Sequence, residues 1–372
     1  MGKKNIAAVV LDNGSGSCKG GLAGYSSPVS IISSVVGRPH LKSSILGADH
    51  KNYYVGKEAQ ARRGVLSLTY PMEHGVVTSW DDMEKVWRYM YKYEMQIKSR
   101  ERPVLVTEAP FNPVQHRETM TEILFEHFRV PAMYVAVEAK LALYAAGRTN
   151  GIVLNSGDGV TYAVPVYKGE CLLYPECRLD VAGRDITEYL RMLLMETGHS
   201  FASSAEKEIV KDLKEKLCYV ALNPEQEMRA EQALKEYKLP DDNTIRIGSQ
   251  LFRAPEILFN PASNGSDAPG VHEMLLNSIA KCSWYVRRRL YGNILLSGGS
   301  TLFHGFDERI LKEMRRQVPS SCKVTIIAPP DREFCVWIGG SVLASLSQFR
   351  RMWVTSKEYE EVGPTVTDRK CG

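Results

Sequence analysis

The sequence has no long hydrophobic run and no large excess of one charge. No apolar stretch reaches the roughly 18 residues that indicate a membrane-spanning helix, and the N-terminal segment lacks the hydrophobic core of a signal peptide. The formal net charge is only +4, from 47 basic and 43 acidic residues, which argues against nucleic-acid binding as the main activity. We therefore expect no membrane insertion, no nucleic acid as a partner, and a cytosolic or nuclear protein.

Cysteine motifs are also missing. The eight cysteines form no C-x-x-C pair and have no histidine at zinc spacing, so we expect reduced thiols. An apolar content of 44% and a charged content of 24% are ordinary for a globular protein. A chain of 372 residues is expected to fold as two or more subdomains with separate cores.

Predicted strands alternate with predicted helices, which indicates an α/β fold. The strands are expected at 6–12, 19–24, 29–36, 104–108, 133–137, 151–155, 161–167, 294–297 and 323–328. The helices are expected at 80–96, 113–127, 138–146, 183–197, 204–218, 272–289, 306–315 and 337–348. Residues 225–243 and 260–270 are polar without regular periodicity, and we interpret them as surface excursions.

Two glycine-rich segments, 10–19 and 153–161, are near-copies of each other. Each follows an aliphatic run and leads into another, which predicts a β-hairpin rather than a strand-to-helix phosphate loop. Glycine admits positive φ and lets backbone N–H groups approach an anion closely. Two such hairpins facing each other would clamp a nucleotide, with Asp12 and Asp158 in the turns and Lys19 beyond the first.

Longer motifs extend this pattern from about residue 6 to residue 371. They are found at 12–16, 70–75, 80–85, 107–110, 214–222, 296–301, 326–330 and 336–341. On these motifs the sequence closely resembles the actin family, and more distantly the superfamily that actin forms with heat-shock chaperones and sugar kinases. The resemblance implies a duplicated actin-like ATPase (ribonuclease H-like) α/β fold, with two large lobes around a nucleotide cleft.

The resemblance also implies four subdomains. The first comprises 1–33 with 71–145 and 335–372, the second 34–70, the third 146–181 with 267–334, and the fourth 182–266. The cleft of the family holds ATP or ADP with Mg²⁺ or Ca²⁺. Asp12 and Asp158 would hold the cation through water, because Mg²⁺ keeps most of its water ligands.

Residues that contact nucleotide in the family fall on five short stretches of this chain. Lys19 would neutralise the phosphates as a point charge. The full set of implied nucleotide contacts is Gly14, Ser15, Gly16, Lys19, Gly157, Asp158, Gly159, Val160, Gly183, Lys211, Lys214, Glu215, Gly299, Ser300, Leu302 and Phe303. Glu333 stands where actin has a lysine beside the adenine, which leaves nucleotide preference open.

The residues that position the hydrolytic water all differ from those of actin. Actin uses a glutamine, a histidine and an aspartate, and here the matching residues are Glu138, Tyr162 and Asn155. Asn155 has lost the charge that attracts metal-bound water, and Tyr162 is no base at neutral pH. Glu138 as a relocated general base would preserve hydrolysis. The interpretation we favour is a slow or inactive ATPase that uses nucleotide as a structural ligand.

Departures from actin also fall on assembly surfaces. The loop at 261–270 lacks the apolar tip of actin's plug loop, so each cross-strand contact is expected to weaken by a few kcal/mol, on the order of 25 cal/mol per Å² of lost apolar burial. Ile45 and Leu46, in the counterpart of actin's DNase-binding loop, keep the apolar character that longitudinal contacts use.

Partner surfaces change in charge. Residues 2–5, 25–27 and 98–102 replace acidic groups that attract myosin in actin, so myosin is not an expected partner. The groove through which actin-like subunits or actin-binding proteins would bind is partly kept, and it comprises Tyr144, Ala145, Leu343, Leu346 and Met352.

The predicted function is that of an actin-like nucleotide-binding cytoskeletal protein in the cytoplasm, with the nucleus as an alternative. It is expected to polymerise poorly alone and to act in a complex, a short filament or a cap. The alternative is a conventional filament-forming ATPase with Glu138 as base. A remote alternative is a small-molecule kinase, which only the shared loops support. The modification state of His74 is left open.

Overall fold

The computed structural model describes residues 6–40, 51–174, 178–230 and 234–371. The basic N-terminal segment at 2–5 and the apolar pair Ile45 and Leu46 lie outside the described residues. In the described part of the chain, no helix has the length and hydrophobicity that crossing a membrane requires.

The strands and helices are numbered in chain order. The strands are β1 Val9–Asn13, β2 Ser17–Leu22, β3 Ser30–Ser33, β4 Val36–Pro39, β5 Tyr54–Val55, β6 Leu66–Thr69, β7 Met72–Glu73, β8 Val76–Val77, β9 Val104–Glu108, β10 Ala132–Val137, β11 Gly151–Ser156, β12 Thr161–Tyr167, β13 Glu170–Cys171, β14 Arg178–Leu179, β15 Lys235–Lys238, β16 Thr244–Ile247, β17 Ile294–Ser297, β18 Ile326–Ile327 and β19 Val354–Thr355. The helices are α1 Lys57–Ala61, α2 Trp80–Tyr89, α3 Val114–Glu122, α4 Glu138–Ala145, α5 Gly183–Glu196, α6 Ser204–Leu217, α7 Pro224–Arg229, α8 Gln250–Glu256, α9 Val271–Lys281, α10 Trp284–Tyr291, α11 Phe306–Gln317, α12 Cys335–Ser345, α13 Ser356–Val362 and α14 Val366–Lys370.

The chain divides into two compact units. The first consists of Met1–Thr149, Lys168–Cys171 and Phe334–Gly372, and the second of Asn150–Tyr167 and Leu172–Glu333. The boundaries of the four subdomains stay a prediction.

The first unit is built on a sheet with strand order β19-β10-β9-β1-β2-β3. β1 pairs antiparallel with β2 and parallel with β9, so the first glycine-rich segment is a hairpin, as predicted. α4 and α12 pack together beside this sheet. A Cβ atom on Gly339 would lie 1.8 Å from the backbone oxygen of Leu141, so only glycine permits this close approach of the two helices.

The second unit repeats the same strand arrangement. β11 pairs antiparallel with β12 and parallel with β17, which in turn pairs with β18. The second glycine-rich segment is therefore also a hairpin, as predicted. α9 and α10 pack against its strands, α5 packs against α8, and the core of the unit includes Ile152, Leu154 and Leu190, all with no exposed surface. The duplicated topology explains why the two glycine-rich segments are near-copies.

Helix starts follow local capping chemistry. The Ser203 hydroxyl accepts a hydrogen bond from the Glu206 backbone N–H at 3.2 Å, and the Glu206 carboxylate accepts one from the Ser203 N–H at 2.7 Å. This capping box begins α6 where the sequence predicts a helix. Ser79 caps α2 in a similar way, by accepting from the Asp82 N–H at 3.4 Å.

Three secondary-structure predictions were wrong in part. The strand predicted at 29–36 is two strands, β3 and β4, which belong to different sheets. The helix predicted at 272–289 is two helices, α9 and α10, because Cys282 and Ser283 are extended. Arg287 stabilises the break by donating to the backbone oxygens of Cys282 at 2.8 Å and Ala280 at 2.6 Å. The strand predicted at 323–328 is reduced to β18.

The described residues of 225–243 lie largely at the surface, as expected, and they include two regular elements, α7 and β15. β15 pairs with β16 in a polar hairpin, and Arg246 and Glu236 form an ion pair across it at 3.0 Å. Apolar periodicity misses this hairpin because β15 has polar residues on both of its faces.

Candidate functional site

The first hairpin turn is held by hydrogen bonds on both sides. The Gly14 N–H donates to the Ser17 oxygen at 3.1 Å, which closes the turn. The Ser34 hydroxyl donates to the Gly14 oxygen at 2.7 Å, and the Gly75 N–H donates to the Ser15 hydroxyl at 2.9 Å. The backbone of the turn is therefore fixed before any ligand binds.

Asp12 and Lys19 form a buried ion pair across the same hairpin. The Lys19 ammonium donates to one Asp12 carboxylate oxygen at 2.9 Å, and the Thr107 hydroxyl donates to the other at 2.9 Å. Burial opposes the charge of Lys19, but Asp12 and then Glu138 outweigh it and raise the lysine pKa above its usual value. Lys19 therefore stays cationic. Each Asp12 oxygen keeps lone-pair capacity for a water ligand of a cation.

Cys18 lies between Asp12 and Lys19 in the sequence, and its side chain is part of the packed core. Burial first, and then the Asp12 charge, raise the pKa of its thiol to about 12. The thiol is therefore neutral at physiological pH and has no exposed surface. The other described cysteines are also free thiols.

The second hairpin turn has the same internal closure. The Gly157 N–H donates to the Val160 oxygen at 3.1 Å, as Gly14 does in the first turn. The Gly157 oxygen accepts from the Gly183 N–H at 3.0 Å and from the Ser300 hydroxyl at 2.7 Å. A Cβ atom on Gly183 would lie 2.8 Å from the Ser300 oxygen. The start of α5 therefore meets the turn so closely that a larger residue at position 183 would displace the Ser300 side chain.

Asp158 and Lys214 lie at the same place. The Arg184 N–H donates to the Asp158 backbone oxygen at 2.7 Å, and the Arg184 guanidinium pairs with the Asp158 carboxylate at 3.1 Å. The Lys214 ammonium donates to the Gly183 oxygen at 2.7 Å, and burial lowers the pKa of this lysine. Thus the predicted residues Gly157, Asp158, Gly183, Lys214 and Ser300 are brought together by direct contacts.

The third glycine-rich turn joins this cluster. Gly298 has φ of 87°, and a Cβ there would lie 2.3 Å from the Ser156 oxygen and 3.0 Å from the Asn155 side-chain oxygen. At Gly299 a Cβ would meet no atom of the described residues within 4 Å. Position 298 is thus glycine for reasons of the fold, whereas the space beside position 299 is open and would accommodate a ligand.

The remaining predicted nucleoside contacts differ in how far their side chains are exposed. Lys211 is half-buried and Glu215 is exposed on α6. Leu302 is 38% exposed, whereas Phe303 is buried. Gly16 belongs to the first turn, where its oxygen accepts from the Ser34 N–H at 3.1 Å. Gly159 belongs to the second turn.

The water-positioning set is divided between the units. Glu138 is the first residue of α4 in the first unit and is only 8% exposed. Asn155 and Tyr162 lie opposite each other in the register of β11 and β12 in the second unit. Asn155 is 5% exposed, and Tyr162 has no exposed surface. The phenol of Tyr162 is thus a core side chain in this structure.

The predicted partner groove lies in the first unit, at the ends of α4 and α12. Tyr144 and Ala145 close α4 and are half-buried, as is Leu343 on α12. Leu346 is 50% exposed and Met352 is 42% exposed. Apolar side chains therefore remain accessible where the resemblance implies a partner surface.

The sequence model of the actin family matches residues 3–372. The chain belongs to the actin family. The mixed α/β structure, with its duplicated sheet arrangement, is consistent with the two-lobed fold of that family. Members of the family generally bind ATP or ADP with a divalent metal ion, and this chain is accordingly an actin-like nucleotide-binding protein.

The side chains of this actin-family protein fit a hydrated cation. Asp12 in the first unit and Asp158 in the second each carry carboxylate oxygens that water ligands of Mg²⁺ would contact. Within the described ranges, no three His, Cys, Asp or Glu side chains converge as a metal site. Backbone N–H groups of glycine-rich turns and a lysine ammonium are donors from which the phosphates of a nucleotide would accept hydrogen bonds.

A cavity of about 710 Å³ lies elsewhere in the second unit, and none of the predicted nucleotide contacts lines it. Its floor is Arg309, which pairs with Glu256 at 3.0 Å and Glu313 at 2.8 Å. The Lys312 ammonium, also in the lining, donates to the Leu222 oxygen at 2.7 Å. Arg309 and Lys312 are therefore already engaged by groups of the same unit.

Sequence reasoning missed the residues that support the turns. Thr107 holds Asp12, Ser34 holds Gly14, and Arg184 holds Asp158. Arg184 directly follows Gly183 at the helix start and Thr107 lies in the motif 107–110, but neither position indicated which residue it supports. Ser34 and Thr107 are distant in the chain from the residues they support.

Proposed function

We propose that this actin-family protein binds ATP or ADP with Mg²⁺, or with Ca²⁺, and hydrolyses ATP slowly or not at all. It acts as a subunit of a complex, a short filament or a cap, and it polymerises poorly alone. Its place is the cytoplasmic cytoskeleton, with the nucleus as the alternative. A groove of the first unit, around Leu346 and Met352, receives actin-like subunits or actin-binding proteins.

The observation that carries slow hydrolysis is the pair of side chains, Tyr162 and Asn155, that lie opposite each other in the second hairpin. The phenol of a tyrosine is no base at neutral pH. Its neighbour across the strands, Asn155, is uncharged and attracts metal-bound water less than a carboxylate does. The second hairpin therefore lacks both groups that actin uses there. Loss of positioning groups commonly slows phosphoryl transfer by about 10²-fold or more.

Charge around the first hairpin supports the same proposal. Lys19 already pairs with Asp12, and Glu138 adds a further negative field that favours the charged lysine. A second carboxylate near the phosphates would oppose the approach of an anionic nucleophile. Nucleotide binding itself is supported by the prearranged turns at Gly14 and Gly157 and by the open space beside Gly299.

One observation favours the alternative of a working ATPase. Glu138 is a largely buried carboxylate at the end of β10 whose field reaches Lys19. A carboxylate in that position would accept a proton from an attacking water. The slow ATPase and the working ATPase differ in how the rate of hydrolysis should change when Glu138 is replaced.

Single-turnover hydrolysis of ATP with Mg²⁺ tests the proposal. The wild type is compared with Glu138→Gln and with a triple variant, Glu138→Gln with Asn155→Asp and Tyr162→His, which restores the actin set. We expect tight binding, little turnover in the wild type, and an increase of about 10²-fold in the triple variant. Rapid wild-type hydrolysis that Glu138→Gln abolishes would instead establish Glu138 as the base. Glu118→Gln, a change outside both hairpins, is the control.

Pelleting across a range of protein concentrations tests assembly. The loop that follows Asn260 forms a short turn at Pro261–Asn264 and has no exposed large apolar side chain among its described residues. We expect no clear critical concentration. Ser263→Phe with Asn264→Leu should restore an apolar tip and promote pelleting, whereas Ser263→Gln with Asn264→Gln should not. Efficient wild-type pelleting would contradict the proposal.

A further inference from the structure

α10, in the second unit, carries an exposed aromatic surface. Its inward residues Val286 and Leu290 are buried, with 2% and 0% exposure. Trp284, at the start of the helix, is 81% exposed, and Tyr285 is 56% exposed. Tryptophan is highly buried on average in folded proteins, so a tryptophan standing almost entirely in solvent needs a reason other than packing.

Two arginines follow these aromatic residues on the exposed side of α10. Arg288 and Arg289 are exposed, and α10 contains no acidic residue. In the part of the chain that the structure describes, neither side chain forms an ion pair. Other surface arginines, such as Arg246 and Arg253, do form ion pairs. Arg287 differs, because its guanidinium is engaged by backbone oxygens at the end of α9.

Helical spacing places each aromatic ring beside one of these arginines. Trp284 precedes Arg288 by four residues, and Tyr285 precedes Arg289 by four, which makes each pair neighbours on the helix surface. The Trp284 and Tyr285 rings meet edge to face with centroids 6.2 Å apart. Tyr285 also contacts the Tyr167 ring at 6.3 Å. The aromatic side chains are therefore supported by one another and need little ordering on binding.

We propose that this surface, formed by Trp284, Tyr285, Arg288 and Arg289, docks an acidic segment of a partner protein. Carboxylates of the partner would pair with the two arginines, whose planar guanidinium groups match a carboxylate in bidentate geometry. An apolar residue between those carboxylates would cover Trp284. Tryptophan, tyrosine and arginine are the residues that most often dominate binding energy at protein interfaces.

Two other classes of partner fit the surface less well. A helix that lies on a membrane needs a broad apolar face in contact with lipid, but the apolar face of α10 is buried inside the unit. Nucleic acid binding depends on several cationic contacts to phosphates, and only two arginines here lack partners. Charge complementarity with an acidic peptide requires no more than the two that are present.

Selection from a phage-displayed library of random dodecapeptides on the full-length protein tests this proposal. We expect enrichment of peptides that combine Asp or Glu with an aromatic residue or leucine. Their affinity for the variant Trp284→Ser with Arg288→Glu should fall at least about 30-fold. The matched control, Tyr25→Ser with Arg100→Glu, changes an exposed tyrosine and an exposed arginine of the first unit and should bind like the wild type.

The folded state is monitored in parallel. Both double variants should melt within about 2 °C of the wild type, because exposed side chains contribute little to stability. Failure to enrich acidic peptides, or equal binding to the wild type and to the Trp284 variant, would overturn the proposal. The proposal would also be overturned if the protein bound phosphatidylserine vesicles or single-stranded RNA instead of peptides, and if the Trp284 variant lost that binding. Self-association that the Trp284 variant abolishes would identify a second copy of this chain as the occupant and would also overturn it.

Discussion

Adding one methyl group at Gly298 or at Gly299 is expected to have opposite consequences. Alanine at 298 would take a backbone with φ 87° and ψ 150° and place its Cβ 2.3 Å from the Ser156 oxygen. That backbone conformation costs about 1–3 kcal/mol for a residue other than glycine. The overlap costs about 1–3 kcal/mol more. We therefore expect Gly298→Ala to lower the free energy of unfolding by about 2–6 kcal/mol.

Alanine at 299 meets none of these obstacles. No described atom lies within 4 Å of its Cβ position, and the residue is in a short helical turn. Stability without nucleotide should stay the same or rise by up to about 1 kcal/mol, because alanine restricts the unfolded chain. If the nucleotide lies against Gly299, the methyl group displaces it. A tenfold loss of affinity would remove about 1.4 kcal/mol of the stabilisation that saturating ATP confers.

Urea unfolding followed by tryptophan fluorescence, with and without MgATP, measures both effects. Gly64→Ala is the matched control, since a Cβ there also meets no described atom within 4 Å and no nucleotide is proposed beside it. Wild-type stability of Gly298→Ala would refute the steric reasoning. An ATP-induced stabilisation of Gly299→Ala equal to that of the wild type and of Gly64→Ala would show that the nucleotide does not occupy this space.

Three further measurements concern buried and paired groups. The hydrogen bond from Lys370 lowers the pKa of Glu358 from 4.5 to about 2. The stability that the charged carboxylate adds is therefore complete above pH 4.5 and is lost as the pH falls toward 2. The urea midpoints of the wild type and of Glu358→Gln should differ at pH 6 and converge near pH 2. Arg309→Ala leaves the Glu256 carboxylate without its cation, while Glu313 keeps Arg316 at 3.1 Å, and should cost about 3–5 kcal/mol in urea melts at pH 7. Burial raises the pKa of Cys18 to about 12, so mass spectrometry should find it unlabelled by iodoacetamide at pH 8 while half-buried Cys322 reacts.

Contrary results would be equally clear. A difference between the wild type and Glu358→Gln that stays constant down to pH 2 would show that Lys370 does not hold the carboxylate charged. Arg309→Ala with wild-type stability would mean that the Glu256 carboxylate finds another partner. Labelling of Cys18 as fast as that of Cys322 would show that the first hairpin opens readily.

Local chemistry made much of the fold predictable. The turns at Gly14 and Gly157 were predicted as hairpins because glycine-rich turns between aliphatic runs have few other solutions, and the pairing of β1 with β2 and of β11 with β12 confirms this. The break at Cys282 and Ser283 was not predictable. It depends on Arg287 folding back onto the end of α9, a contact that periodicity does not encode.

The candidate site was predictable residue by residue but not as an arrangement. The sequence and its family resemblance identified Gly157, Gly183 and Ser300, yet only the structure shows that Gly183 and Ser300 both donate to the carbonyl oxygen of Gly157. Tyr162 was predicted as an altered water-positioning residue, and its complete burial became visible only in the folded unit. Burial and distant hydrogen bonds are set by packing among residues far apart in the chain.

The sequence by itself determined the family, the alternation of strands and helices, and the glycine positions of the turns, because these depend on residue type and short spacing. Tertiary structure alone decided which glycines the fold requires, which charges are already paired, and that the aromatic and arginine side chains of α10 face solvent. The physical reason is that steric contact, desolvation and ion pairing depend on distances between residues that the linear order leaves undefined.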